Sequence, residues 1–234
     1  MECRVEPFSL RHIYFQHKYK LGFKYLDVTG SALCALLTQY PQLKVQEVNA
    51  VAATLKNEKF PSISLAFGAD SASVTQVDID IRELEAFSCA VGLQVPTILD
   101  FIKPGDPVRM GIRTIDIREV SSPEHGMKII ESKKWGSVDS FVGLLTGKPI
   151  SYGRSIRSRA SDGRVRRLVV SLVRITNNTE FSSDISAEDA TDAKYGIAVD
   201  FDYQVWGTTI SGENLIKEAL IERKAVHERV GEVK

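Results

Sequence analysis

The chain has 234 residues, and its 30 lysines and arginines balance its 30 aspartates and glutamates, so the formal net charge is zero. Apolar residues make up 43% and charged residues 26% of the sequence, which is typical of globular proteins and excludes a disordered or fibrous chain. The sequence shows neither a signal peptide nor an uninterrupted apolar run of membrane-spanning length, so we expect a cytoplasmic protein with no membrane partner.

The cysteines agree with a reducing compartment. There are three of them, widely spaced and without a CxxC pair. Cys34 stands between leucine and alanine residues, and we expect it to be a small buried apolar side chain.

Period-two alternation of apolar and polar residues is the dominant pattern and predicts half-buried strands. It is clearest from Val77 to Arg82 and from Val199 to Trp206. Further strands are predicted at 12–25, 44–55, 62–67, 109–120 and 165–175. About seven strands with one polar face predict a curved, mainly antiparallel sheet that is solvated on one side.

Helical spacing predicts an early short helix from Ser31 to Tyr40, which Pro41 ends, and a long C-terminal helix that Ser211 caps. One- or two-turn helices are predicted at 96–102 and 138–145. A sheet with these helices packed on one face belongs to the α+β class.

We expect residues 1–234 to form a single α+β domain. The glycine-rich stretch 121–164 is the longest without a strand pattern. It predicts either a crossover that contains a helix or an excursion that binds a partner. The two halves share an order of strands and helices that hints at a repeat.

Motifs that would carry an enzymatic reaction are absent from the sequence. It has no GxSxG nucleophile elbow, no GxxxxGK[ST] phosphate loop, no HExxH zinc motif and no GxGxxG dinucleotide motif. His12 and His17 are five residues apart, which places them on opposite faces of a strand. We therefore predict no catalytic residue and no cofactor, and we favour a protein without enzymatic activity.

Two pairs of aspartates alternate along the clearest strand patterns. Asp78 and Asp80 share one strand face, and Asp200 and Asp202 share another. If the two strands were neighbours, the four carboxylates could bind Mg²⁺ or Ca²⁺. The alternative is that they form the solvated face of the sheet, opposite arginines of adjacent strands.

Charge is uneven in the second half of the chain. From Tyr152 to Arg174 there are seven arginines and one aspartate, and from Glu180 to Asp202 there are seven acidic residues and one lysine. These blocks predict a basic strand next to an acidic strand, with charges paired internally. The other interpretation is a flexible arginine-rich loop that grips phosphates or a partner. The candidate residues are Arg154, Arg157, Arg159, Arg164, Arg166 and Arg167.

Three segments resemble a family of bacterial proteins of about this length to which no activity is assigned. The segments are the strand Arg109-Met110-Gly111-Ile112-Arg113, the later strand Val199-Asp200-Phe201-Asp202 and the helix from Asn214 to Val230. The sequence departs from that family at Thr114-Ile115-Asp116, where the family has Tyr-aliphatic-Asn. The resemblance implies a bacterial cytoplasmic protein and no particular reaction. Gly111 in mid-strand predicts a bulge or a close backbone approach.

Three functional hypotheses follow. The first is a non-enzymatic module of a larger assembly that binds a protein partner or self-associates through one sheet face or through residues 121–164. The second is a small-molecule binder with a cavity between the sheet and the C-terminal helix. Its lining would be Ile79, Ile81, Phe201, Tyr203, Val205 and the stripe from Leu215 to Leu220. The third is nucleic-acid contact through the arginines.

Overall fold

The computed structural model describes eight stretches of the chain. They are residues 8–20, 24–79, 83–103, 108–132, 152–176, 180–185, 194–207 and 210–231. The helix predicted at 138–145 lies outside the described residues, as do Asp80 and Ile81.

The described residues form ten strands and five α-helices. The strands are β1 (Ser9–Lys18), β2 (Leu43–Val48), β3 (Ala52–Asn57), β4 (Ile63–Gly68), β5 (Ser71–Val77), β6 (Arg109–Val120), β7 (Tyr152–Arg159), β8 (Arg164–Ile175), β9 (Phe181–Ser182) and β10 (Lys194–Trp206). The helices are α1 (Lys24–Gln39), α2 (Leu84–Cys89), α3 (Val95–Ile102), α4 (Pro123–Ser132) and α5 (Gly212–Gly231), and a π-helical turn (Ala90–Gln94) joins α2 to α3.

All ten strands belong to one open antiparallel sheet. Nine of them follow the order β2-β3-β4-β5-β1-β6-β10-β8-β7, and the short β9 pairs with β8. The first half of the chain runs from β1 through α1 to a meander that returns to β1, and the second half repeats this course from β6 through α4. The strands that begin the two halves, β1 and β6, pair with each other at the centre of the sheet.

The described helices cover one face of this sheet, which we call the helix face. Phe201 of β10 belongs to the main apolar core, together with Leu36 of α1, Ile98 of α3 and Leu215 of α5. Val199 lies two residues before Phe201 and therefore points to the same side, where it packs with Ile130 of α4. We call the opposite face the outer face. It is polar over most of its width and has a small apolar cluster of Ile117, Val173 and Ala198.

The helical segment from Leu84 to Ile102 is long and apolar enough to cross a membrane by length and composition. In this structure Phe87, Val91, Val95 and Ile98 of the segment are buried in the main core. The apolar character of the segment is therefore used for packing against the sheet and α1.

The α+β class, the antiparallel sheet and the C-terminal helix are confirmed, but the sheet has about ten strands and not seven. The pattern at 44–55 is a hairpin of two strands, β2 and β3, because Asn49 accepts hydrogen bonds from the backbone of Val51 and Ala52 at the turn. The alternation that starts at Val77 is not a strand in the described residues, because β5 ends there and Asp78 has a φ of 53°.

Of two predictions about the helices, the structure confirms one and contradicts the other. Ser211 caps α5 as predicted, since its Oγ accepts a hydrogen bond of 3.2 Å from the backbone of Asn214. The prediction of a buried Cys34 is wrong, because the thiol is exposed. Ala32 and Leu36 face the core from α1, and a residue midway between them points away from it.

Candidate functional site

The β7–β8 hairpin positions the arginine block. Its short connection contains Gly163 at a φ of +82°, a conformation that glycine adopts without strain, and Ala160 donates a backbone hydrogen bond of 2.8 Å to Arg164. The connection sets a register in which Arg157 lies opposite Arg167. Residues 154–159, for which the sequence predicts a flexible loop, are therefore part of strand β7.

Alternation along the two strands separates the six candidate arginines into two groups. Arg154, Arg164 and Arg166 are on the helix face, and Arg157, Arg159 and Arg167 are on the outer face. The sequence-predicted cluster is thus two sets of three with different surroundings.

Arg164 is a structural residue that ties β8 to α5. Its guanidinium donates two hydrogen bonds to the Glu218 carboxylate, at 2.8 and 3.0 Å, and one of 2.8 Å to the Tyr203 hydroxyl. Tyr203 in turn donates to Glu218 over 2.7 Å. Burial, and secondarily Glu218, raise the pKa of Tyr203 to about 12, so this hydroxyl stays protonated at neutral pH.

Arg166 has a similar role one turn further along α5. Its guanidinium lies 2.5 Å from the Glu222 carboxylate and 5.5 Å from the centroid of the Tyr203 ring. The described partners of Arg164 and Arg166 thus come mainly from α5 and not from the predicted acidic block at 180–202. The prediction that these two arginines pair with carboxylates of the same chain is correct, but the carboxylates belong to α5 and not to the acidic block.

The three arginines on the outer face lack such carboxylate partners among the described residues. Arg157, Arg159 and Arg167 are all exposed. In the described part of the chain, none of them has a carboxylate within ion-pair distance. Asp202 is opposite Arg167 in the strand register, but the hydrogen bond to its carboxylate comes from Gln204.

Strand register aligns a row of polar side chains across the whole outer face. The row, which we call the outer row, crosses nine strands and consists of Lys44, Lys56, Ser64, Thr75, Tyr14, Arg113, Asp202, Arg167 and Arg157. At a strand spacing of about 4.8 Å it is about 38 Å long. Like charges lie opposite each other at both of its ends, Lys44 beside Lys56 and Arg157 beside Arg167.

A shallow pocket of about 200 Å³ lies at the middle of the outer row. Its lining comprises Tyr14, Gln16, Arg109, Gly111, Arg113 and Asp202. Gly111 is in register with both neighbouring strands, so it does not mark a bulge. A Cβ atom there would come within 3.3 Å of the Tyr203 carbonyl oxygen, which confirms the predicted close approach.

Hydrogen bonds fix the side chains around this pocket. Trp206 donates to Gln204 over 3.2 Å, and Gln204 donates to Asp202. Arg109 donates to Gln16, and its guanidinium lies 5.9 Å from the Trp206 ring centroid. Burial raises the pKa of Asp202 above its ordinary value.

Asp200 is neutralised on the same face. Its carboxylate accepts two hydrogen bonds of 2.8 Å from Arg113, in a bidentate pair. The sequence alternative in which the aspartates face arginines of adjacent strands is therefore correct for Asp200.

Asp78 does not meet Asp200 and Asp202, and Asp80 lies outside the described residues. Asp78 follows β5, whereas Asp200 and Asp202 are on β10, and β1 and β6 lie between those strands. The described residues contain no group of three or more histidine, cysteine or acidic side chains that could hold a metal ion. The condition on which the Mg²⁺ or Ca²⁺ hypothesis depended, neighbouring strands, is not met.

Most of the described residues that were predicted to line a cavity under the C-terminal helix are core residues, and Ile81 lies outside the described residues. Phe201, Tyr203 and Val205 are at most 2% exposed, and they belong to the same apolar cluster as Leu215 and Ala219. Side chains from the sheet and from α5 therefore occupy this space.

Sequence reasoning missed a buried ionic cluster at the centre of the sheet. Asp116 of β6 is fully buried and accepts hydrogen bonds from Arg223 of α5, and Nε2 of His227 lies 3.0 Å from its carboxylate. Burial opposes ionisation of Asp116, but the contacts with His227 and Arg223 outweigh it and hold its pKa below the ordinary value. The cluster anchors α5 on the sheet.

A serine–histidine contact at the start of α4 was also not predicted. Ser121 Oγ lies 2.9 Å from Nδ1 of His125, four residues on, and both side chains are at the surface. A catalytic dyad also needs a group that orients the histidine, and the described residues place none on its other nitrogen. His12 and His17 lie on opposite faces of β1 as predicted.

No protein-family model matches the chain, and no curated protein matches its sequence.

Proposed function

We propose that this protein is a non-enzymatic interaction module of a bacterial cytoplasmic assembly and that the outer face of its sheet contacts the partner. The carrying observation is the placement of α1 to α5 on one face, which leaves the outer row uncovered by described helices across nine strands. An antiparallel sheet is stable with one face in solvent, so fold stability does not require a cover on that side.

The composition of the outer face supports this choice. The row is polar, with cationic residues at both ends and Tyr14 and the pocket at its centre. Interfaces of this kind are enriched in arginine and aromatic residues. Cys34 and Cys89 are free thiols at the surface, which suits the reducing cytoplasm.

Site-specific photo-crosslinking in bacterial cells tests the proposal. A benzophenone amino acid replaces Tyr14 on the outer face, and a control variant carries it at Ile221 of α5, which is 70% exposed. We expect adducts from position 14 and not from position 221. Absence of adducts at position 14, or equal adducts at both positions, contradicts the proposal.

The absence of catalysis has a separate test. A reaction that the purified protein turns over, and that one point substitution abolishes without unfolding the chain, contradicts a non-enzymatic role. In the photo-crosslinking experiment, digestion of the adducts from position 14 with protease or nuclease identifies the partner as protein or nucleic acid.

A further inference from the structure

We propose that the partner of the outer face is single-stranded nucleic acid, held by phosphate contacts with Arg157, Arg159 and Arg167 and by stacking of bases on Tyr14 and Trp206. This inference rests on the proposed function, because it assigns a ligand class to the same face.

The first argument is the way charge is divided between the two faces. On the helix face Arg164, Arg166 and Arg223 each pair with a carboxylate. On the outer face Arg157 and Arg167 are exposed and have no such partner in the described parts of the chain. The chain is neutral in total, yet no described carboxylate neutralises these two arginines of the outer face.

The second argument concerns the ends of the outer row. Like charges directly opposite each other on neighbouring strands destabilise a sheet. The row has such a pair at each end, Lys44 beside Lys56 and Arg157 beside Arg167. Lys44 forms an ion pair with Glu58, whereas Arg157 and Arg167 have no carboxylate partner among the described residues. Local arrangements that act against stability are expected at functional sites, and a bound polyanion would neutralise the repulsion between Arg157 and Arg167.

The third argument is the centre of the face. Tyr14 and the 37%-exposed Trp206 lie beside a shallow pocket whose lining includes Gly111, which has no side chain. Aromatic rings on an antiparallel sheet are platforms for unpaired bases. A duplex keeps the faces of its bases stacked inside, so these rings favour a single strand over a double strand.

Fluorescence anisotropy with a short labelled poly(dT) strand and the full-length protein tests the inference. We expect binding that weakens steeply between about 50 and 200 mM salt. The variant R157A/R159A/R167A removes three phosphate contacts. It should make the negative slope of log K against log salt shallower by about 2, since each contact with a single strand contributes about 0.7 to its magnitude. The control variant K128A/K217A/K224A removes the same charge from exposed helix positions and should leave the slope unchanged.

The stacking part has its own readout. Y14A and W206A should each weaken binding about five-fold or more without a change in salt slope, because they remove no charge. Thermal unfolding of each variant verifies that it is folded. The wild-type slope alone tests phosphate contact if a variant does not fold.

Three outcomes overturn the inference: no binding of poly(dT), an equal loss in the two triple variants, or tighter binding of polyglutamate than of poly(dT). If poly(dT) does not bind but Tyr14 crosslinks to a protein in cells, the inference fails and the proposed function stands. If position 14 yields no adduct, the proposed function fails as well.

Discussion

The like-charge pair of Arg157 and Arg167 leads to a prediction about stability that is independent of any ligand. Arg167 stands between two directly opposite neighbours, Arg157 on β7 and Asp202 on β10. A directly opposite charge pair contributes about 0.5 kcal/mol, favourable or unfavourable according to sign. In the wild type the repulsion from Arg157 is not offset, because the Asp202 carboxylate accepts its hydrogen bond from Gln204 and does not pair with Arg167.

Charge reversal changes this interaction in a defined order. R157E replaces the repulsion by an attraction, so we expect the free energy of unfolding to rise by about 1 kcal/mol. R167E gains the same attraction but places a second carboxylate opposite Asp202, so its gain should be about 0.5 kcal/mol. The double variant R157E/R167E restores a like-charge pair and keeps the carboxylate opposite Asp202, so it should lose about 0.5 kcal/mol, which gives a coupling energy between the two positions of about 2 kcal/mol.

The assay is urea unfolding followed by circular dichroism at pH 8 and low salt. R159E is the control, because Arg159 lies opposite Val165 and the substitution changes strand propensity without changing a cross-strand charge pair. In about 1 M salt, where the Debye length is about 3 Å, the spread among the variants should shrink. The reasoning is refuted if R157E is no more stable than R159E, or if the double variant is more stable than the wild type.

Three further predictions concern the packing of the helices on the sheet. R223M should destabilise the protein by about 3–5 kcal/mol in urea unfolding, because it leaves the fully buried Asp116 carboxylate without its guanidinium partner. D116N should cost less stability, because Arg223 is partly exposed and can turn to solvent. Equal losses of stability in the two variants would contradict this prediction. The folded-state pKa of Asp116 lies below its unfolded value of 3.8, so the ionised carboxylate stabilises the folded protein above that pH, and this stabilisation is lost as the pH falls through the folded pKa. The difference in the free energy of unfolding between wild type and D116N should therefore disappear in acid. A difference that grows in acid would contradict the prediction. G30A should raise the midpoint of unfolding, with a gain of about 0.5–1 kcal/mol, because Gly30 has open space around it in α1. G126A should be less stable than G30A by about 1–3 kcal/mol, because its Cβ would come within 2.5 Å of Leu172. A comparable gain in both variants would contradict this prediction.

Much of the local structure could be predicted from the sequence. Strand β6 has the bounds predicted from the pattern, and α5 begins after the predicted cap, Ser211. These features depend on side chains a few residues apart, and burial on one face leaves a periodic record in the sequence.

Strand β7 was missed because it is an edge strand. Among the described strands it pairs only with β8, and its arginines and serines are mostly exposed, so no apolar alternation marks it as a strand. The exposed Cys34 shows the same dependence on geometry, since local composition predicts burial but the angular position on α1 directs the thiol to solvent.

The candidate site was decided by the tertiary structure. The sequence identified the six arginines, but only strand pairing separated Arg157, Arg159 and Arg167 from Arg164, whose partner Glu218 is on α5. The same pairing separated Asp78, which follows β5, from Asp200 and Asp202 on β10, and it aligned Tyr14 with the arginines of distant strands. Strand order and register arise from turns and from packing across the whole sheet, and these long-range contacts leave no periodic signal in a single sequence.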